Sequence, residues 1–245
     1  LLSNFNISGN IIDDDLKFNS YKKNIIRKFS IKLDKFRKKK KFLIEKKSLN
    51  KSTNYYDYLQ NFDFYDTFFV EGYFESEKYF INERDNLLHE FSFKNLDFNK
   101  NLINLNQFKK ENIVSICVRQ NRFSERHENR LSKISKNKSN TFVKDTINYI
   151  KKAETFIESK IESPIYYLWS DDFTNLREYF PENKYKFIEN SQNKTLSDFY
   201  LFNLCKYFIV GPTTFHWWGA WLSNYNDKIC IRPKNLNPSN NLDFW

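Results

Sequence analysis

Methionine is absent from this chain, and glycine and proline are scarce, with 4 and 5 residues among 245. So few glycines and prolines exclude collagen-like and low-complexity classes and argue against a turn-dense all-β fold. Three cysteines, an odd number, provide no disulfide framework and no paired metal spacing, so a reducing compartment is expected. Three histidines, His89, His127 and His216, lie far apart and form no recognisable metal set. No apolar run approaches the ~20 residues of a membrane span. No charged-then-apolar leader opens the chain. Gly-x-Gly-x-x-Gly, Walker, His-Glu-x-x-His, Cys-x-x-Cys and Gly-x-Ser-x-Gly signatures are all missing. With Leu1 as the first residue and no Met, the natural start is expected to lie upstream.

What is present is aromatic and basic. Aromatics at 19% and hydrophobics at 40% exclude a disordered chain. Lys and Arg exceed Asp and Glu by 40 to 30, a net charge of +10. The crowding of Asn, Lys, Ile, Phe and Tyr points to A/T-biased coding DNA, which weakens the case for a nucleic-acid partner. The Phe and Trp residues also recur at core spacings rather than interleaved with cations. No nucleic-acid partner is therefore expected.

From Ser20 to about Lys47, Ile25, Ile26, Phe29, Leu33 and Phe36 recur at three- and four-residue steps, which predicts an amphipathic helix. Its end, Arg37-Lys38-Lys39-Lys40-Lys41, reads as a solvated helix terminus, or as a patch for an anionic surface or acidic saccharide. Phe68-Phe69-Val70 with Tyr73-Phe74 predicts a short buried strand leading to a turn at Gly72, and Glu75 to about His89 a helix. Residues 94–110 are a polar connector.

Beyond it the texture changes. Ile113–Val118 is a continuous apolar strand of the kind buried in parallel sheets. Strands at Pro164–Trp169, Tyr185–Ile188, Tyr207–Val210 and Lys228–Ile231 alternate with helices at Thr141–Ile161, Thr174–Phe180, Leu196–Cys205 and Phe215–Leu222. Such alternation predicts βαβ units and a Rossmann-type sheet over 111–235. Ligands of such sheets sit beyond the carboxyl ends of the strands, at a topological switch point. Polar residues stand there: Arg119 to Arg122, Ser170-Asp171-Asp172, Glu189-Asn190-Ser191, and Gly211-Pro212-Thr213-Thr214. An Arg facing a helix start suits a phosphate. Asp171, Asp172 and Asp198 suit ribose hydroxyls or a base edge with two N–H donors. Ser170-Asp171-Asp172 and Thr213-Thr214 also fit plain helix caps, and Trp217-Trp218-Gly219-Ala220-Trp221 fits core packing.

Residues 208–222 carry a more specific signal. Phe-Ile-Val-Gly-Pro-Thr-Thr-Phe-His-Trp-Trp-Gly-Ala-Trp-Leu resembles the tryptophan-rich block of family 11 glycosyltransferases, the α-1,2-fucosyltransferases. Glu71 to Phe80, Trp169 to Asp172 and Leu196 to Cys205 resemble further family segments in the same order. The resemblance spans about residues 70–235. It departs at the donor motif, His-x-Arg-Arg-x-Asp, where the matching positions are Cys117, Val118, Arg119, Gln120, Asn121 and Arg122, so only the first Arg is kept. In the tryptophan block, Pro212 and Thr213 replace Asn and Ser, and His216 replaces a later Ser. The family's opening Gly-rich segment is absent.

The resemblance implies an α/β, GT-B-like chain of two Rossmann-like domains. Residues 1–105 would form an acceptor-side domain lacking its first strand, and 111–240 the donor domain. It implies inverting, metal-independent transfer of fucose from GDP-fucose to a sugar hydroxyl, with no cofactor beyond that nucleotide-sugar donor. Arg119 is expected to stabilise the leaving phosphate, with Arg122, Asp171, Asp172, Asp198, Thr213 and Thr214 as donor contacts. Glu125 and His127 are the candidate bases, beside Glu128. The acceptor would be a glycan or lipid-linked oligosaccharide in surface-polysaccharide synthesis. The setting would be cytoplasmic, with the basic helix touching the anionic inner face of the plasma membrane. The rival readings are an inactive GT-B relative serving as a scaffold, and transfer from another nucleotide-sugar.

Overall fold

A computed structural model describes residues 2–10, 12–45, 63–72, 74, 76–94, 108, 112–189 and 194–234. Tyr73, Glu75, Asn190 and Ser191, and most of the 94–110 connector, lie outside these. The chain divides into two compact units, Ile7–Glu90 with Ser239–Trp245, and Phe91–Pro238 with Leu1–Asn6.

In the Ile7–Glu90 unit, helix α1 runs Tyr21–Leu33, opened by Ser20, whose side chain accepts from Lys23 N. The expected helix to Lys47 stops here, and the basic run is not its end: β1, Lys39–Ile44, contains three of those lysines. The cause is Asp34. Its Oδ2 accepts from the backbone N–H groups of Lys41 and Phe42 at 2.8 and 2.7 Å, so the chain reverses and leaves as a strand. β1 pairs in parallel with β2, Asp63–Glu71, longer than the short strand anticipated and not buried, since Phe68 and Val70 are exposed on it. Phe42 and Phe69 stack in this unit, and Phe18 packs edge-on to Phe69 and tilted against Phe42. The helix expected over Glu75–His89 breaks into 3-10 turns at Glu77–Tyr79 and Ile81–Glu83 before a short α2, Arg84–Glu90.

The Phe91–Pro238 unit is a five-stranded parallel sheet. Its strands are β3 (Ile113–Val118), β4 (Ile165–Ser170), β5 (Tyr185–Phe187), β6 (Tyr207–Ile209) and β7 (Ile229–Ile231), in the order β5-β4-β3-β6-β7. Chain order thus runs outward from β3 through β4 to β5, returns to β6 on the other side, and continues to β7. The switch point falls between β3 and β6.

Helix α3, Lys133–Glu158, starts eight residues earlier than its apolar period indicated, at a Ser132 cap. It packs Val143, Ile147, Ile150 and Ile157 onto Val114, Ile116 and Val118. Ile150 and Ile157 are fully enclosed, and burial of each contributes roughly 1.5–3 kcal/mol. The alternate side chains of β3, Ser115 and Cys117, point to the other face. There α4 (Lys194–Leu204) and α5 (Thr214–Leu222) pack against each other and supply Phe202 and His216. Gly219 of α5 permits that packing, because a Cβ there would sit 2.6 Å from Phe202 Cβ. The helix expected at Thr174–Phe180 is only a 3-10 turn, Leu176–Glu178, because Asp172 closes a tight turn with Thr174 N instead of capping a helix. Among the described residues, no helix is long and apolar enough to cross a membrane.

Candidate functional site

A cavity of about 400 Å³ opens at the switch point, beyond the carboxyl ends of β3, β4 and β6. Cys117, Val118 and Arg119 form one side, and Ser170 and Asp171 continue from β4. Thr195 and Asp198 enter from α4, and Thr213 from the N-cap of α5. The remaining wall is aromatic: Trp169, Phe202 and Phe215, with ring centres 4.8 Å apart for Trp169–Phe202 and 5.5 Å for Phe202–Phe215. An aromatic wall opposite a cation and a helix start is the arrangement that holds a planar base at one end and a phosphate at the other.

Gly211 makes the close approach possible. A Cβ there would lie 2.3 Å from the Cys117 carbonyl oxygen, so only glycine lets the β6–α5 turn lie against the end of β3. Thr213 caps α5 by accepting from His216 N at 3.2 Å, leaving the first-turn N–H dipoles of a nine-residue helix at the cavity. Behind the turn His216 is completely buried. Its Nδ1 accepts from Gly211 N at 2.8 Å, which places the ring proton on Nε2, 2.8 Å from Ser115 Oγ. Burial pushes this imidazole down to about 3, so it is neutral at physiological pH. Sequence reasoning noted His216 as one of three scattered histidines and as a departure from the family block; an imidazole inside an apolar helix block was the available signal.

Arg119 lies at the cavity and donates through Nη2 to Glu125 Oε2. Two residues expected in different roles are therefore one ion pair. Asp171 also lines the cavity, but its oxygens accept from Gln120 N and Asn121 N at 2.7 and 3.2 Å, so it shapes the Arg119 loop. Gln120, at the position of the family's second Arg, ties the same loop down through the carbonyls of Asp172 and Thr174. Arg122 is directed elsewhere. Its guanidinium lies 5.6 and 5.1 Å from the Phe123 and Phe142 ring centres and donates to the Pro212 carbonyl at 3.4 Å, bridging the two loops.

Asp198 is buried at the cavity wall. Asp172 and Thr214 do not line the cavity; Thr214 is exposed on the first turn of α5. His127 is exposed in a 3-10 turn, His127–Asn129, and does not line it either. Burial pushes the Cys117 thiol up to about 12, the Asp171 and Asp198 carboxylates adding to the shift, so it stays protonated and is no nucleophile. Among the described residues no three His, Cys, Asp or Glu side chains converge as a metal-ligand set. The aromatic wall and Thr195 were not anticipated, because aromatic residues at helical spacing read equally as core.

The sequence profile of glycosyl transferase family 11 matches residues 2–243. An alpha-1,2-colitosyltransferase of Escherichia coli is 26% identical over 167 residues, covering 66% of this chain and 53% of that relative. The O-antigen biosynthesis glycosyltransferase WbnK of Escherichia coli is 29% identical over 106 residues, 40% of this chain and 35% of that relative. The matched parts thus span about half or less of these relatives' lengths. No solved structure matches.

Proposed function

Since the chain belongs to glycosyl transferase family 11, we propose that it moves a deoxyhexose, fucose in the first instance, from its GDP carrier to a sugar hydroxyl during surface-glycan synthesis. The observation that carries this reading is the switch-point cavity, with Arg119, the α5 N-terminus and Asp198 around an aromatic wall. In this reading the five-stranded unit is the donor half of a GT-B frame and the Ile7–Glu90 unit belongs to the acceptor half. The setting is cytoplasmic. A colitosyltransferase among the relatives supports a second reading, a different deoxy sugar on the same carrier.

The base lies against Trp169, Phe202 and Phe215, and Asp198 accepts from its N–H groups or from ribose. The diphosphate lies between Arg119 and the N–H groups behind Thr213. As the bond from the sugar's anomeric carbon to the β-phosphate oxygen breaks, negative charge grows on that oxygen. The guanidinium, once it exchanges Glu125 for the phosphate, and the helix dipoles behind Thr213 meet that charge without a metal. The acceptor hydroxyl attacks the opposite face of the anomeric carbon, which inverts its configuration. Its proton passes to a carboxylate. Glu125 is chosen over His127 because it pairs with Arg119, which itself lines the cavity. A phosphate that competes for the guanidinium frees the Glu125 oxygens to accept this proton.

Isothermal titration with GDP, UDP and CDP, with and without EDTA, tests the reading. GDP is expected to bind in both conditions. Arg119→Ala should weaken it by about 1.5–3 kcal/mol, roughly 10- to 150-fold, the value of a charge-assisted hydrogen bond. Preference for UDP overturns the GDP assignment. Binding of no nucleotide overturns the enzyme reading in favour of a scaffold, and loss of GDP binding with EDTA overturns metal independence.

A further inference from the structure

Helix α1 is inside out. Its inward side carries polar groups. Lys23 Nζ donates to the carbonyls of Asp14 and Asp15 at 3.0 and 2.9 Å, Arg27 pairs with Glu71, and Asp34 just past the helix caps β1. The opposite side carries most of the apolar residues, Ile31 and Leu33 alone being half-buried. Tyr21, Ile25, Ile26 and Phe29 are 80%, 50%, 61% and 62% exposed, and Phe36 beyond the helix is 88% exposed. At 100° per residue these helical positions fall within one sector of about 140°. No residue of α1 is buried. A helix whose apolar stripe is left uncovered by the described residues of its own unit exposes that stripe to something else.

The charges around the stripe identify its occupant. Lys22, Lys28 and Lys32 are exposed on the same side, and Lys35, Lys38, Lys39 and Lys41 are exposed just beyond. From Tyr21 to Ile44 the sole acid is Asp34, and it is buried. A second copy of this face would oppose lysines to lysines. A protein groove for four side chains would need acids at every rim. An anionic bilayer meets both demands at once: Ile25, Ile26 and Phe29 enter the headgroup–acyl boundary, while the lysine stems lie along the apolar surface and their ammonium groups reach lipid phosphates.

We propose that α1 and the basic segment after it form a peripheral docking face for an anionic lipid surface, and that this face works independently of which donor the cavity accepts.

The test is co-sedimentation of the full chain with vesicles of phosphatidylcholine alone or with about one-third phosphatidylglycerol, chosen because the attraction to anionic lipid is electrostatic. Binding to the anionic vesicles is expected to exceed binding to neutral ones by about tenfold and to weaken at high salt, where charge is screened within about 3 Å. Ile25→Ser/Phe29→Ser and, separately, Lys28→Glu/Lys32→Glu should each lower it about tenfold. Circular dichroism and GDP titration are run on the same variants, and both should match wild type because all four side chains are exposed in the Ile7–Glu90 unit. No binding to anionic vesicles overturns the proposal, as does binding that both variants retain in full. A solution dimer that Ile25→Ser/Phe29→Ser abolishes would assign the face to a second copy and also overturn it. Loss of GDP binding by wild type would leave the lipid result standing and count against the donor site alone.

Discussion

The buried imidazole behind the β6–α5 turn makes a prediction that depends on pH and on one residue. In the folded chain His216 is neutral, its affinity for a proton pushed down to about 3 by burial. In the unfolded chain it titrates near its ordinary value of about 6.5. Between those values the unfolded state binds a proton that the folded state does not, so stability rises with pH and is lost as pH falls. Going from pH 7 to pH 5, linkage puts the loss assignable to His216 at about 2 kcal/mol.

His216→Asn isolates this term. Its amide oxygen can replace Nδ1 as acceptor from Gly211 N, while the bond to Ser115 Oγ is lost. At pH 7 that loss, plus the reduced packing on Phe202, should cost about 1–3 kcal/mol. At pH 5 the gap should shrink by about 2 kcal/mol, because wild type alone pays for the imidazole. Urea denaturation of both proteins at both pH values gives the difference directly, every other titrating group being common. Equal loss of stability by the two proteins between pH 7 and pH 5 would refute the buried neutral imidazole.

Gly211→Ala should destabilise the five-stranded unit by about 1–3 kcal/mol and weaken GDP binding, because the new methyl meets the Cys117 carbonyl at 2.3 Å and moves the strand end that carries Arg119. Urea unfolding and calorimetry check both, and wild-type values in both would show that the turn has room to spare. Asp34→Ala should cost about 1–3 kcal/mol by leaving the N–H groups of Lys41 and Phe42 without their acceptor. Asp34→Asn, which keeps one oxygen, should recover part of that loss in the same denaturation assay, and an unchanged midpoint for the Ala variant would refute Asp34 as the cause of the chain reversal.

The α/β class was legible because it is written in local periods. The unbroken apolar run Ile113–Val118 became the central strand of the parallel sheet, and the 3.6-residue spacing of Phe142 to Ile157 became the helix that covers it. The tryptophan block was legible because Thr213, Gly219 and the aromatic residues sit at fixed offsets within one helix and its cap. The reading of the basic run at residues 37–41 as a helix end failed for the opposite reason. A helix end and an edge-paired strand look alike in lysine-rich sequence until Asp34 turns the chain and β2 supplies a partner.

The chain by itself thus determined which residues stand at strand ends, since backbone periodicity is a local property. It did not determine what those residues face. Asp171, expected as a ligand contact, lines the cavity and also holds the Arg119 loop, Arg122 bridges two loops, Arg119 and Glu125 become one ion pair, and Asp198 arrives at the cavity from a helix about 80 residues away in sequence. The tertiary structure decided those matters, because they depend on the order β5-β4-β3-β6-β7, which sets Gly211 against Cys117 and opens the cavity between them. The inversion of α1 was decided the same way. Its apolar period is evident in the residues, but which side faces inward follows from where Glu71 and the Asp14 and Asp15 carbonyls stand to receive Arg27 and Lys23.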